Sequence, residues 1–371
     1  MKRLVVFPGD PIGEYLKKGQ TYDYYEAYYN PGNAFEEVYV LSPWESSEKV
    51  HGRLHFIQAN PIKFRSIIKK INPDAIRAYG GHHCADWAAI SKVNNIPIIV
   101  SVHDTNPNIL YTSVRSADHV ICMSTAVKEV VMNQLGISEQ KISVMPNRVD
   151  IETFKKSYDQ AMFEQLNKLY GNGKHILHVG RKTEQKNIDT VIKSLKYLPQ
   201  DYTVIFVGQG DTQEYEQIAQ NEGVSERCFF VSGISRNELP MYYSWCDCMC
   251  TPSRWEGFGM VFMEAASCEC AIVTSNIKPM NEYLVDKDNA YLVSEYENPI
   301  EIANAIQKAC DNSIENQKIK HNARKVGEMF EKSVVDRKEI EIYEEVIAKG
   351  VSGKRKFDLN AYINVYWRFR N

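Results

Sequence analysis

The chain has 371 residues, a quarter of them charged, with a formal net charge of −3. A single hydrophobic core rarely grows past about 250–300 residues, so two domains are expected, and a near-balanced charge excludes the basic footprint of a nucleic-acid binder. The sequence has no run of 18 apolar residues to cross a bilayer, and Met1-Lys-Arg-Leu-Val-Val-Phe-Pro8 is too short for a signal sequence, so a cytoplasmic protein is expected.

Short apolar runs at 4–7, 37–41, 54–57, 75–78, 97–101 and 120–122 read as strands, with helical stretches around 22–29, 61–71, 84–94 and 125–134. The second half repeats the rhythm. Strands are expected at 176–179, 203–207, 229–231, 248–250 and 271–274, and helices near 187–197, 212–222, 236–245 and 258–268. Alternating strands and helices mean doubly wound, Rossmann-like α/β domains, which bind ligands outside the carboxyl ends of their strands. The glycines of Tyr170-Gly-Asn-Gly-Lys174 mark the boundary. The expected division is 1–170, 171–345 and a tail, 346–371, which carries six basic residues against one acidic and is expected to return to the first domain.

Several side chains fall at strand ends. His103 follows the strand ending near 101, where a histidine can hydrogen-bond a sugar hydroxyl or an acceptor; His82 and His83 follow Tyr79-Gly-Gly81, also at a strand end where they could touch an acceptor, and read first as helix-capping histidines. Arg181 and Lys186 lie between the strand ending at Val179 and the next helix, placed to neutralise a diphosphate, Arg181 by a fork and Lys186 as a point charge. Nine cysteines, mostly in apolar runs, suit buried free thiols; Cys246, Cys248 and Cys250 would share a strand face without the spacing of a zinc knuckle. Asp286-Lys-Asp288 reads as a solvated turn rather than a metal site.

The densest signal is Pro252-Ser-Arg-Trp-Glu-Gly-Phe-Gly-Met-Val-Phe-Met-Glu-Ala-Ala266. A helix starting near Gly259 would be apolar on nearly every side and would bury Glu264. A buried carboxylate costs several kcal/mol unless hydrogen-bonded, so Glu264 asks for a polar partner, and ribose hydroxyls are one. A local cap or ion pair is the other. The free N–H groups at Phe258, Gly259, Met260 and Val261, at the positive end of the helix dipole, form an anion site. With Glu256 before the helix and Glu264 inside it, the carboxylates can lie roughly 10 Å apart, the span of a nucleoside diphosphate sugar.

This segment resembles the Glu-x7-Glu signature of retaining glycosyltransferases of the GT-B fold, family 4. His178-Val-Gly-Arg-Lys-Thr-Glu-Gln-Lys-Asn187 resembles that family's diphosphate-holding loop, Val207-Gly-Gln-Gly-Asp211 the turn after its next strand, and Ile142-Ser-Val-Met-Pro-Asn-Arg-Val-Asp150 its interdomain segment, with Arg148 where glycine is usual. The resemblance, running from about 73 to 293, implies two Rossmann-like domains facing across a cleft and metal-free, retaining transfer of a sugar from a nucleotide diphosphate to a glycan or lipid-linked acceptor. It assigns catalysis to Glu256, His103, Arg181 and Lys186, and donor binding to Gly13, Arg181, Lys186, Phe258, Gly259, Met260, Val261 and Glu264. Gly13 enters through Pro8-Gly-Asp-Pro-Ile-Gly13, where the family's adjacent glycines are missing. Glu269 also stands where the family often has glycine, and the segment 275–282 lacks the family's usual glycine pair. No cofactor or metal is implied. A nucleotide-sugar epimerase of the same fold and a non-catalytic sugar-nucleotide-binding subunit are the alternatives.

The tail, with Lys354-Arg-Lys356, Phe357, Tyr362, Tyr366, Trp367 and Phe369, mixes basic and aromatic side chains, and the helix at 61–71 is amphipathic and basic. Both are expected to pack on their own domain, leaving at most a weak, salt-sensitive contact with an anionic membrane.

Overall fold

The computed structural model describes residues 2–17, 19–45, 49–93, 95–351 and 358–369. They form two compact units, residues 1–146 with 333–371 and residues 147–332. The expected tail residues Lys354, Arg355, Lys356 and Phe357 lie outside the described residues.

The first unit is built on an eight-stranded sheet: β1 (Arg3–Phe7), β2 (Glu37–Ser42), β3 (Lys49–His51), β4 (Leu54–Gln58), β5 (Ala75–Tyr79), β6 (Ile98–Val102), β7 (His119–Cys122) and β8 (Ile142–Val144). Its order is β3-β4-β2-β1-β5-β6-β7-β8, parallel except for β3 against β4. β1, β5 and β6 are almost wholly buried, as their continuous apolar runs require of strands covered on both faces. The second unit holds β9 (Lys174–Val179), β10 (Tyr202–Val207), β11 (Cys228–Val231), β12 (Cys248–Cys250), β13 (Ala271–Ser275) and β14 (Tyr291–Val293), in the order β11-β10-β9-β12-β13-β14, all parallel. Each sheet reverses its winding once, between β1 and β5 in the first and between β9 and β12 in the second. Such switch points open a crevice beyond the carboxyl ends of the strands.

The division between units falls at 146/147, earlier than the glycines near 170, and the chain rejoins the first unit at 333 rather than after 345. Residues 147–170 belong to the second unit because Val149 N–H donates to the Phe330 carbonyl at 2.9 Å, Phe154 packs on Tyr243, and Asn167 accepts from Trp245 Nε1 at 2.8 Å. Glycine spacing marked only the loop between the helix Gln160–Tyr170 and β9. Two short strands, β3 and β8, were not expected from the sequence, each being three residues long.

The terminal helix Leu359–Phe369 packs on the helix His83–Ile90 of the first unit. Ala361 and Val365 are buried, Phe369 joins the Trp44 and Trp87 rings, and Asp358 caps the helix through Ala361 N–H at 3.0 Å while accepting from Ser116 Oγ at 3.1 Å.

Beneath that helix Asp86 is buried; its Oδ2 accepts from Asn364 Nδ2 at 3.2 Å and its Oδ1 has no hydrogen-bond partner among the described residues. Burial pushes the carboxyl up to about 6. The folded state therefore holds this proton more tightly than the unfolded chain. The resulting stability is fully present below the unfolded value near 3.8 and is lost as pH rises through about 6. At about 1.4 kcal/mol per pH unit this amounts to at most about 3 kcal/mol. Unfolding melts between pH 4 and 7 should show a smaller fall in stability for Asp86→Asn than for the parent; equal slopes would remove Asp86 as the cause.

Candidate functional site

At the switch point of the second sheet, the loop after β9 faces the loop after β12, and hydrogen bonds lace them together. Arg254 N–H donates to the Gln185 carbonyl at 2.8 Å, Gln185 Nε2 to the Trp255 carbonyl at 2.8 Å, and Asn187 Nδ2 to the Pro252 carbonyl at 3.0 Å. The Arg254 guanidinium adds Glu297 and Asp189, so the rim is held by charge as well.

The lacing brings Lys186 Nζ onto Glu256 Oε1, both side chains being about nine-tenths buried. Ser253 Oγ donates to the same oxygen at 2.8 Å. Buried His178, which burial pushes down to about 4, is neutral and donates from Nε2 to the Lys186 carbonyl at 2.9 Å, fixing the backbone of the loop. Lys182, beside Arg181, acts within the fold instead. Its ammonium is clamped on the carbonyls of Gly208 and Val231, tying the loop to the ends of β10 and β11. Arg181 is exposed and makes no ion pair or hydrogen bond among the described residues. Two of the three basic residues on this loop are thus committed and one is open to an anion.

The expected helix begins one residue later than Gly259, as Met260–Ser267. Gly259 takes a left-handed conformation, φ 88°, and a Cβ there would fall 2.5 Å from the Phe262 ring, so only glycine lets the chain enter the helix here. No side chain caps this N-terminus, which leaves the first N–H groups, including those of Met260 and Val261, pointing out of the helix. Phe258 is buried between Tyr283 and Phe330, and its carbonyl accepts from Tyr283 Oη.

Glu264 is buried as expected, but protein groups meet it: Arg236 Nη1 lies 3.1 Å from Oε1 and Tyr243 Oη donates to Oε2 at 3.4 Å. Burial raises its pKa, and the Arg236 charge opposes the rise. A carboxylate paired in this way does not require a ligand, which corrects the inference from burial alone. Arg236, half-exposed and resting over the Phe154 ring at 4.8 Å, was missed because it lies 28 residues away on the loop after β11. Ser253 and Tyr243 were missed too. Only Ser253 carried a local signal, three residues before Glu256.

In the first unit His103 follows β6 as expected, with Nε2 2.7 Å from Ser101 Oγ. Burial, then Arg77 and His82, push it down to about 3, so it is neutral at pH 7. Gly13 lies in the short helix Ile12–Lys17, and a Cβ there would meet nothing within 4 Å, so its surroundings do not call for glycine. His82 occupies the N-cap position of the helix His83–Ile90 without a side-chain cap bond, against the expected capping role. Cys246 lies against Cys270 and Cys248 against Cys310, all buried free thiols, so the cysteines do not converge. Asp286 accepts from Leu292 N–H and Asp288 from Asn322, which makes that stretch a structural turn. Glu269 holds φ 54°, the conformation that accounts for a glycine preference at its position.

The family model described as "Glycosyl transferases group 1" matches residues 159–326, and that described as "Glycosyltransferase Family 4" matches residues 17–153. An uncharacterized glycosyltransferase of Methanocaldococcus jannaschii is 24% identical over 305 residues, 75% of this chain and 77% of the relative. The Escherichia coli protein named UDP-Gal:alpha-D-GlcNAc-diphosphoundecaprenol alpha-1,3-galactosyltransferase is 26% identical over 219 residues, 57% of this chain and 56% of the relative. Among solved structures, Anabaena HepE in complex with UDP is similar with a TM-score of 0.75 at 19% identity, over 93% of this chain and all of that one.

Proposed function

The chain belongs to the group 1 glycosyltransferases and has their GT-B fold, and from that premise we propose that it moves a hexosyl group from a nucleotide diphosphate sugar to a glycan or lipid-linked acceptor, with retention and without a metal. The observation that carries the reading is the Lys186–Glu256 pair at the second switch point, beside an open Arg181 and an uncapped helix N-terminus. Negative charge grows on the diphosphate as the glycosidic bond breaks, so groups already fixed around it lower the barrier. Lys186, Arg181 and the N–H groups from Phe258 to Val261 supply that stabilisation. Glu256, released from Lys186 by the phosphates, orients sugar hydroxyls, and Glu264 accepts from the ribose. His103 and Gly13, both on the first unit, keep in this reading the roles that the family resemblance implies for them. The departing phosphate takes the acceptor's hydroxyl proton on the face it leaves, which retains the anomeric configuration.

The relatives' printed names favour a uridine donor and a lipid diphosphate acceptor. A thermal-shift series with UDP, GDP, ADP and dTDP, each with and without excess EDTA, tests the donor half, since a ligand specific for the native state raises the midpoint. UDP is expected to shift it alone and equally in EDTA. A shift by no nucleotide, or transfer lost to EDTA and restored by Mg²⁺, would overturn the reading.

No helix among the described residues is long and apolar enough to cross a membrane. We propose a cytoplasmic enzyme with a weak, peripheral membrane contact. In the helix Phe64–Ile71, Phe64 and Ile68 are buried while Arg65, Lys69 and Lys70 are exposed, and Ile62, Tyr362, Ile363 and Trp367 are exposed on elements packed side by side. Co-sedimentation with anionic but not zwitterionic vesicles, lost at high salt, is expected. Equal recovery with both vesicle types would remove the contact.

A further inference from the structure

At the switch point of the first sheet, the loop after β1 meets the entrance of the helix His83–Ile90, where three consecutive side chains, His82, His83 and Cys84, bring one ligand atom each within 4.8 Å of the others. The hydrogen positions follow from the partners. His83 Nε2 is 2.9 Å from the Gly9 carbonyl, which only accepts, so this nitrogen carries the hydrogen. Burial pushes His83 down to about 3 and lowers His82 as well, so both rings are neutral at pH 7 and His83 Nδ1 holds a lone pair. One ring nitrogen anchored on a backbone carbonyl while the other is presented outward is the usual setting of a metal-bound histidine. His82 Nδ1 faces His83 Nδ1 at 2.7 Å, and a single proton joins them.

The surroundings hold this group in place. Cys84 is fully buried, and its thiol donates to the Pro8 carbonyl at 3.1 Å. The rings of Trp44 and Trp87 each lie 4.7 Å from that of His83 and wall it on the apolar side. Gly80 has φ 140°, and a Cβ there would come within 2.7 Å of His82 Nε2, so the glycine leaves the His82 ring its position. Exposed Asp10, on the loop after β1, acts by its charge on both His82 and Cys84 and favours a cation beside them; Arg368 acts on the two histidines in the opposite sense.

One thiolate and two neutral imidazoles are donors that suit Zn²⁺ and not Mg²⁺, Ca²⁺ or Mn²⁺. Tetrahedral zinc, with Zn–N near 2.0–2.1 Å, sets two ligating nitrogens about 3.3 Å apart. The histidine rings would therefore part by about 0.6 Å, a small rotation for side chains that are only half-buried. We propose that His82 Nδ1, His83 Nδ1 and Cys84 Sγ bind a zinc ion, with water in the fourth position under the charge of Asp10. On binding, the proton between the rings moves to His82 Nε2, and the thiol gives its proton to solvent as the Zn–S bond forms. The ion fastens the helix entrance and, through His83 and the Gly9 carbonyl, the loop after β1. These ligands belong to the first unit and the donor residues to the second, so the proposal does not rest on the glycosyltransferase reading and assigns the ion no part in transfer.

The test uses the untagged full chain, stripped with EDTA and desalted, and titrated with zinc chloride by calorimetry against a chromophoric chelator. One equivalent is expected to bind with micromolar or tighter affinity, to resist a large excess of Mg²⁺, and to raise the melting midpoint. Cys84→Ser keeps a hydroxyl donor for the Pro8 carbonyl and His83→Gln an amide donor for that of Gly9, so both should fold, as melts without metal will show. Each should weaken zinc by about a hundredfold or more, beyond the effect of losing an outer-shell partner, and Asp10→Asn by severalfold. With Co²⁺ in place of zinc, the parent should show a thiolate-to-metal charge-transfer band and the intense visible bands of tetrahedral cobalt, and Cys84→Ser should lack the first. No stoichiometric zinc binding by the parent, equal binding by the parent, Cys84→Ser and His83→Gln, or a cobalt spectrum without a thiolate band would overturn the proposal.

Discussion

Lys186→Ala is expected to lower turnover at saturating donor by about a hundredfold or more, the scale on which removing a fixed charge beside a developing anion acts. It should also destabilise the second unit. Lys186 and Glu256 are both about nine-tenths buried, and removing one member of such a pair leaves the other charge without compensation, at a cost of about 3–5 kcal/mol. The two effects separate in the double variant Lys186→Ala/Glu256→Gln. A neutral amide in place of the carboxylate still accepts from Ser253, so much of the stability should return while the activity does not. Arg181→Ala gives the contrast. Its side chain is exposed and partnerless among the described residues, so turnover should fall tens-fold with stability within about 0.5 kcal/mol of the parent. Thermal melts and initial rates on the four proteins decide the matter. A Lys186→Ala enzyme with parental turnover would remove Lys186 from catalysis.

The sequence located the elements that carry the candidate residues where local chemistry decides them. Apolar runs fixed the central strands, and Gly257 and Gly259 beside an apolar stretch located the helix entrance to within one residue. Arg181 and Lys186 were legible as a pair because both fall on one strand-to-helix loop. Their different states were not: the loop turns Lys186 inward to Glu256 and leaves Arg181 outside, and only the tertiary lacing by Arg254, Gln185 and Asn187 determines that. Arg236 was illegible for a related reason. It reaches Glu264 across a gap of 28 residues, and no periodicity links a loop arginine to a helical glutamate at that distance. The domain boundary went astray because the glycines near 170 signal a turn, and a turn alone says nothing about which core its flanks join. The tail was legible only in part: burial of Ala361 and Val365 agrees with a docked helix, while the exposure of Trp367 and the freedom of Arg368 depend on which face the docking leaves outward.

Glu264→Ala is expected to weaken nucleotide diphosphate binding by about a hundredfold, equivalent to about 2.8 kcal/mol, as the loss of charge-assisted bonds to a ribose implies. The pre-existing contact with Arg236 gives this substitution a second signature. In the ligand-free protein the carboxylate is shared between Arg236 and Tyr243, so ribose hydroxyls must join or displace them, and part of their binding energy is spent on that exchange. Arg236→Gln should therefore leave nucleotide affinity within about threefold of the parent or raise it, whereas removal of Glu264 can only lower it. The comparison that isolates the ribose uses UDP and its 2′,3′-dideoxy analogue. The parent should prefer UDP by about tenfold or more, Arg236→Gln should keep that preference, and Glu264→Ala should lose it. Acid should erode the preference as well, because burial raises the Glu264 pKa and the carboxylate gains its proton at a higher pH than an exposed glutamate does. Glu264→Ala retaining full discrimination between the two nucleotides would place the ribose elsewhere, and the Arg236–Glu264 pair would then be a brace between the loop after β11 and the helix Met260–Ser267.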